Sequence, residues 1–370
     1  MRKQAPGRIR DAIVATLQEA GQPSTVREIQ NGVVDRLGRA SGSSVRSYLR
    51  LNVDRIFERV DRGLYQLAEE RELFEYESQP ADRISAGKAE FIQGDCLDWL
   101  AHRAAASIHA VVTDPPYGLV EYSPLEQGKL RNGKGGVWRI PPAFDGHKRA
   151  PLPRFTTLSP VQLKELSAFF ERWGKALLPA LVPGANVIVA SNPLLSHIVS
   201  NALAASGLER RGEIVRLVMT MRGGDRPKNA HTEFADVTVM PRSMWEPWLC
   251  FRRPLEGRVQ DNLRKWKTGG FRRISGSKPF GDVIVSRPTH ATERKIAPHP
   301  SLKPQAFLRQ IVRAVLPLGD GTILDPFAGA GSTLAAATAV GYSSIGIEID
   351  SRYAEMARTA IEPLSRLHIG

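Results

Sequence analysis

The sequence predicts an α/β fold with a doubly wound, mostly parallel sheet, preceded by a small separate N-terminal domain. Three observations carry this. From residue 88 onward, short runs rich in β-branched residues alternate with stretches of helical periodicity. Near residue 321 a strand, a glycine turn and a helix follow one another without interruption. The first 75 residues instead give three short helical patterns and a hairpin signal.

In the N-terminal domain, Ile9, Ile13, Val14 and Leu17 fall at helical spacing and stop at Ala20-Gly21. Thr25 and Glu28 have capping-box spacing at the head of a second helix, whose apolar face is Val26, Ile29, Val33 and Leu37. A third helix after Ser41-Gly42-Ser43-Ser44 carries Val45, Tyr48 and Leu49 with the basic Arg46 and Arg50. Residues 56–60 and 64–67 flank Asp61-Arg62-Gly63, a turn composition that makes a hairpin. Residues 1–75 thus resemble a winged helix-turn-helix. In that fold the third helix enters the major groove, so the resemblance makes Arg46 and Arg50 candidate DNA contacts.

Residues 76–87 read as a linker, within a charged stretch that contains Pro80. The larger domain divides into residues 88–221, a poorly periodic basic insertion at 222–298, and residues 299–370. Strands are expected at 108–112, 186–190, 214–219, 322–324 and 344–349. Helices are expected at 163–178, 195–205, 305–315, 333–340 and from Tyr353 onward. Residues 119–160, rich in Gly, Pro, Lys and Arg, read as a lid or substrate-binding loop.

Composition excludes several classes. At 42% hydrophobic and 24% charged residues the chain has material for an ordinary globular core. No run approaches a membrane span and the N-terminus has no secretory pattern, so a cytoplasmic, nucleoid-associated location is expected. Cys96 and Cys250 make neither a disulfide framework nor a zinc quartet, and no metal site is expected. The net charge of +13 favours a polyanionic partner. The surplus concentrates at 222–303, where 17 Lys and Arg face 8 Asp and Glu. Within it, Arg264, Lys265 and Lys267 around Trp266, and Arg272 and Arg273 after Phe271, interleave bases with aromatics. That pattern makes them candidates for holding DNA.

Asp114-Pro115-Pro116-Tyr117 follows the apolar run 108–112, at the carboxyl end of a strand, where open α/β sheets bind ligands. A plain turn would also accept two prolines. The residue types suit one reaction, attack by an exocyclic amine of a base. Such an amine is a poor nucleophile because its lone pair is delocalised into the ring. A carboxylate (Asp114) and a rigid carbonyl (Pro115) accepting its two N–H bonds would free that lone pair. Pro116 lacks an N–H that could compete, and Tyr117 offers a ring on which an extruded base can stack.

A second constellation lies in Asp325-Pro326-Phe327-Ala328-Gly329-Ala330-Gly331-Ser332-Thr333. Gly329 and Gly331 let backbone approach a ligand at a helix N-terminus, where free N–H groups favour a carboxylate. Glu348 ends the next strand, as does the acid that binds ribose hydroxyls in nucleotide-binding folds. A purely structural βαβ turn is the alternative. S-adenosylmethionine, with both a ribose and a carboxylate, fits both halves.

Together the two constellations resemble the DNA amino-methyltransferases acting on adenine N6 or cytosine N4, over roughly residues 88–365. The order of catalytic motif, basic insertion and cofactor loop is that of the family's permuted β group, with a Rossmann-like S-adenosylmethionine-dependent fold. The resemblance implies that residues 88–221 are the catalytic half, 222–298 the target-recognition insertion and 299–370 the cofactor half. It also adds Lys303 beside the methionine part of the cofactor, and Asp95 with Cys96 beside its adenine. The family's usual aromatic near residue 217 is absent from Arg216-Leu217-Val218-Met219, which leaves one wall of the base pocket unassigned. Serine replaces the aspartate more often in cytosine enzymes, so Asp114 favours N6 of adenine in double-stranded DNA. Cytosine N4, an RNA or protein substrate, and a DNA-binding regulator with an inactive methylase domain are the alternatives. The family also makes a homodimer and a cognate restriction endonuclease conceivable partners.

Overall fold

A computed structural model describes residues 8–38, 41, 42, 45, 46, 49, 57–61, 63–67, 84–86, 88–117, 143, 144, 147, 148, 158–218, 227, 230, 232–239, 241 and 243–369. The chain forms two compact units, Met1–Gln79 and Pro80–Gly370. The boundary lies inside the expected linker.

In the first unit, α1 (Arg8–Ala20) and α2 (Val26–Leu37) pack over a small sheet of β1 (Ser24–Thr25), β2 (Phe57–Asp61) and β3 (Leu64–Leu67). The sheet order is β1-β3-β2, antiparallel throughout. The Thr25 hydroxyl accepts from Glu28 N and the Glu28 carboxylate accepts from Thr25 N, so the capping box forms as expected. Ile13, Leu17, Ile29, Val33, Val45, Leu49 and Phe57 make the core. Arg46 is exposed, and Arg50 lies outside the described residues.

The second unit is built on a nine-stranded sheet. Its strands are β4 (Ile84–Ala86), β5 (Ala89–Gln93), β6 (Ile108–Thr113), β9 (Leu181–Ala190), β10 (Glu209–Leu217), β11 (Trp245–Arg252), β12 (Val283–Val285), β13 (Thr322–Asp325) and β14 (Ser343–Glu348). A separate two-stranded ribbon joins β7 (Ala143–Phe144) to β8 (His147–Lys148). The sheet order is β12-β10-β11-β9-β6-β13-β14-β5-β4. The run from β5 to β9 is parallel, and β11 is antiparallel to both of its neighbours.

Helices cover both faces, as the alternating pattern predicts. On one face α4 (Pro160–Ala180) and α5 (Ser196–Ala205) bury Phe170, Trp173, Leu177 and Leu203 against β6 and β9, with the short α3 (Cys96–Ala101) beside them. On the other, α8 (Gln305–Val315) buries Phe307, Leu308, Ile311 and Val312 against β6, β11 and β13. Next to it α9 (Ser332–Ala339) and α10 (Ser351–Ser365) cover β5. Two further short helices, α6 (Val259–Trp266) and α7 (Ala291–Ile296), lie between β11 and α8 in the chain.

The expected basic insertion at 222–298 contributes strands to the sheet. β11 lies within it and is a central strand between β9 and β10. Its burial runs almost continuously from Pro247 to Arg252, because helices cover both faces, so no alternation marks it. Pro247 further hides the strand, since proline usually signals an edge.

The catalytic and cofactor segments, far apart in sequence, are neighbours in the sheet. Leu324 pairs with Val111, and the Thr113 hydroxyl donates to Asp325 Oδ1 at 2.7 Å across 212 residues of chain. The strand ends that carry Asp114, Asp325 and Glu348 therefore open on one rim. The long 119–160 segment lies mostly outside the described residues.

Candidate active site

The parallel strands β6, β13 and β14 deliver functional groups to the carboxyl rim, and a cavity of about 410 Å³ lies between them. Asp114, Pro115, Pro116 and Tyr117 line it from the end of β6. Asp325, Phe327, Gly329, Ser332 and Thr333 line it from the β13–α9 loop, and Glu348 from the end of β14.

The glycine loop is held by the acid that follows it. Glu348 Oε2 accepts from Gly329 N and Oε1 from Asp350 N, both at 2.8 Å. Burial pushes the Glu348 carboxyl above its usual range, against the pull of those backbone bonds. Gly329 adopts φ +51° and Gly331 φ +78°, left-handed values that favour glycine. A Cβ on Gly331 would sit 2.5 Å from Ile361 Cγ1, so close packing of α10 also demands glycine there. No side chain caps the first turn of α9. Its open N–H groups, the half-buried Phe327 packed on Trp173, and the Glu348 carboxylate on the cavity wall fit a ligand with a carboxylate, an aromatic base and a ribose. These requirements match S-adenosylmethionine.

Asp325 lines the cavity and also joins two strands of the sheet. It is fully buried, accepts from Thr113 Oγ1 and from Phe327 N, and hydrogen-bonds Thr333. Burial, despite those bonds, raises its carboxyl to about 6. It ties the end of β6 to the start of the cofactor loop.

Lys303 lines the cavity beside Asp114. Its Nζ donates to Asp114 Oδ2 at 2.6 Å and to the Tyr117 hydroxyl at 3.3 Å. Only 10% of its side chain is exposed. Glu246, from β11, stands 3.7 Å away on the other side. Glu246 in turn accepts from Trp248 Nε1 at 2.8 Å and pairs with the buried Arg216 at 3.3 Å. Arg216 also bonds Ser286 and the Arg287 carbonyl and lies over the Phe307 ring. Sequence reasoning missed Glu246 and Arg216 because their strands bring them here only through the β10–β11 pairing.

His299 is a second residue not anticipated. Burial depresses its imidazole to about 4, so it is neutral at working pH. Its Nδ1 accepts from Ser301 N, which leaves the proton on Nε2, the nitrogen that lies beside Gly329. Its ring meets Tyr353 edge-on at 4.3 Å.

Two expected cofactor contacts stand differently. The Asp95 carboxylate caps α3 by accepting from Leu97 N at 2.7 Å; its backbone neighbour Gly94 bonds the Glu348 carbonyl. Cys96 is buried in the core, and burial pushes its thiol up to about 12. Neither residue is among those that line the cavity.

The basic candidates of the 264–273 stretch require a correction. Asn262 of α6 bonds the Pro183 carbonyl at the start of β9, which pairs with the start of β6, the end of the sheet opposite Asp114. Arg272 donates to the Tyr342 hydroxyl, before β14 begins. Arg264, Lys265 and Lys267 pair with Asp261, Glu256 and Asp320, and Arg273 bonds the Ser275 carbonyl. These five residues occupy the amino rim and do not face the site. Aromatic interleaving here serves packing, with Phe271 stacked on Phe280.

Known proteins resemble this chain. Residues 108–359 match the family model described as DNA methylase of the N6 and N4 type. The Type II methyltransferase M2.DpnII of Streptococcus pneumoniae is 34% identical over 276 residues, 74% of this chain and 90% of that protein. The DNA adenine methyltransferase YhdJ of Escherichia coli (strain K12) is 45% identical over a shorter stretch of 67 residues, 18% of this chain and 22% of that protein. Among solved structures, the cytosine-N4-specific PvuII DNA methyltransferase is 14% identical, with TM-score 0.49, over 77% of this chain and 88% of that one.

Proposed function

Because the chain belongs to the N6/N4 family of DNA methylases, S-adenosylmethionine-dependent enzymes with this Rossmann-like fold, we propose that it methylates N6 of adenine in duplex DNA. The observation that carries this reading is Asp114. It stands first in the tetrapeptide, at a strand end, with its carboxylate facing the cavity that also holds the ribose-binding acid. The similarity to an adenine methyltransferase over 67 residues supports the same base.

Bound S-adenosylmethionine supplies an electrophilic methyl group on sulfur. The chain's own groups act on the base. Asp114 and the Pro115 carbonyl accept the two N–H bonds of the amine and shift nitrogen toward tetrahedral geometry, while Tyr117 stacks on the extruded ring. The nitrogen lone pair forms the new N–C bond and the C–S electron pair stays on sulfur. The proton then surplus on nitrogen leaves through Asp114 to water. Negative Asp114 offsets the positive charge that develops on nitrogen.

The exposed Arg46 in the first unit and the basic surplus of the chain support DNA as the polyanion. The first unit then acts as a winged helix on the duplex. Mass spectrometry of nucleosides from DNA of a host expressing the protein tests the base. N6-methyladenine is expected; N4-methylcytosine in its place would overturn the choice.

A further inference from the structure

We propose that Lys303 is a placeholder for the target amine, and that Glu246 is the carboxylate to which it transfers when the base arrives. This rests on the reading that Asp114 accepts the amine. In the structure the Lys303 ammonium already satisfies the two groups the base would use. It donates to Asp114 Oδ2 at 2.6 Å and stands against Tyr117, 3.3 Å from the hydroxyl and 5.6 Å from the ring centroid.

The difficulty this arrangement raises also identifies the second partner. A base amine is a neutral donor, whereas an ammonium-to-carboxylate bond is charge-assisted and roughly twice as strong. A neutral amine cannot displace a largely buried ammonium unless that ammonium keeps a carboxylate. Glu246 Oε1 is 3.7 Å from Nζ, so a shift of about 1 Å brings it to hydrogen-bonding distance. Glu246 is held ready by Trp248 Nε1 and Arg216, and Arg216 is itself fixed by Ser286, the Arg287 carbonyl and Phe307. Among the described residues, the cations Lys303 and Arg216 face the carboxylates Asp114 and Glu246, with buried Asp325 behind Asp114. The neighbouring His299 is neutral. Moving Lys303 between carboxylates therefore leaves the buried charge balanced, and the cost of base entry is confined to a small side-chain displacement. Because Glu246 belongs to β11 and Lys303 precedes α8, the exchange links the sheet's antiparallel arm to the catalytic tetrapeptide.

The test measures base extrusion without turnover. The full chain is saturated with S-adenosylhomocysteine and mixed with a duplex carrying the motif that modified-base sequencing shows wild type to methylate, with 2-aminopurine next to the target adenine, whose extrusion leaves the probe unstacked on that side. Fluorescence of the unstacked 2-aminopurine reports the flipped population. Glu246→Gln removes the receiving charge and traps Lys303 on Asp114; fluorescence falls at least ~3-fold below wild type. Lys303→Met removes the placeholder, and fluorescence equals or exceeds wild type. The double variant returns to the Lys303→Met value, a non-additivity that a merely structural Glu246 does not produce. A cooperative thermal melt by circular dichroism in all three shows that the fold is retained. Should Glu246→Gln fail to fold, Lys303→Met alone decides. Fluorescence well below wild type in Lys303→Met, or simple additivity in the double variant, overturns the proposal. Absence of any methylation by wild type would instead count against the reading of the preceding section.

Discussion

Replacing Glu348 with alanine tests the cofactor half of the site most directly. The carboxylate holds Gly329 N and Asp350 N at 2.8 Å, takes a further backbone bond from Ile349, and lines the cavity where ribose hydroxyls would sit. A hydrogen bond to a charged acceptor contributes about 1.5–3 kcal/mol. The two ribose bonds share one carboxylate and are partly open to water. Their joint loss is then about 2–3 kcal/mol, a ~30–150-fold weaker Kd. The substitution also frees two backbone donors that shape the glycine loop, so the true loss lies toward the upper end. Isothermal titration with S-adenosylhomocysteine measures it without chemistry, and a denaturation profile shows whether the fold survives. A folded Glu348→Ala variant that binds within ~3-fold of wild type would refute the assignment of Glu348 to the ribose.

The other predictions concern chemistry, charge placement and pH. Asp114→Ala is expected to abolish methyl transfer while retaining cofactor and DNA binding, because Lys303 keeps Glu246 as a partner; full activity in a methylation assay would exclude the assigned role. Arg264→Ala with Lys265→Ala is expected to leave DNA affinity within ~2-fold in a gel-shift assay, since both side chains sit on the amino rim and pair locally; a reduced salt slope would place DNA there after all. Asp325, raised to about 6 from an ordinary 3.8, binds its proton more tightly in the native than in the unfolded chain. Its contribution is therefore most favourable at low pH and is lost as pH rises through the window between those values. Relative to Asp325→Asn, wild type should lose about 2 kcal/mol between pH 4.5 and 7 in urea denaturation. A pH-independent difference would show that Asp325 is ionised throughout.

Much of this protein was legible in one dimension, and the reason is local. Asp114-Pro115-Pro116-Tyr117 and the loop from Asp325 to Thr333 are continuous segments, each read by one strand end or one helix N-terminus. Spacing therefore displays their chemistry. Helix α8 matched its sequence boundaries, Gln305–Val315, because a single apolar stripe faces the sheet. β11 escaped because a strand buried on both faces has no alternation to read, and Pro247 pointed the wrong way. The basic stretch at 264–273 misled because charge and aromatic interleaving do not say which rim of a sheet a loop reaches.

The sequence by itself determined the fold class, the two motif-bearing turns and the family to which their order belongs. Only the tertiary structure decided who stands beside Asp114. Lys303 lies 189 residues away along the chain, and Glu246 comes from a strand with no periodic signature. What joins them is the pairing of β6 with β13 and β9, and of β9 with β11, a set of long-range registers that no local pattern encodes. A largely buried ammonium between two carboxylates is a product of that packing, because it leaves each charge little water and so a partner within the protein.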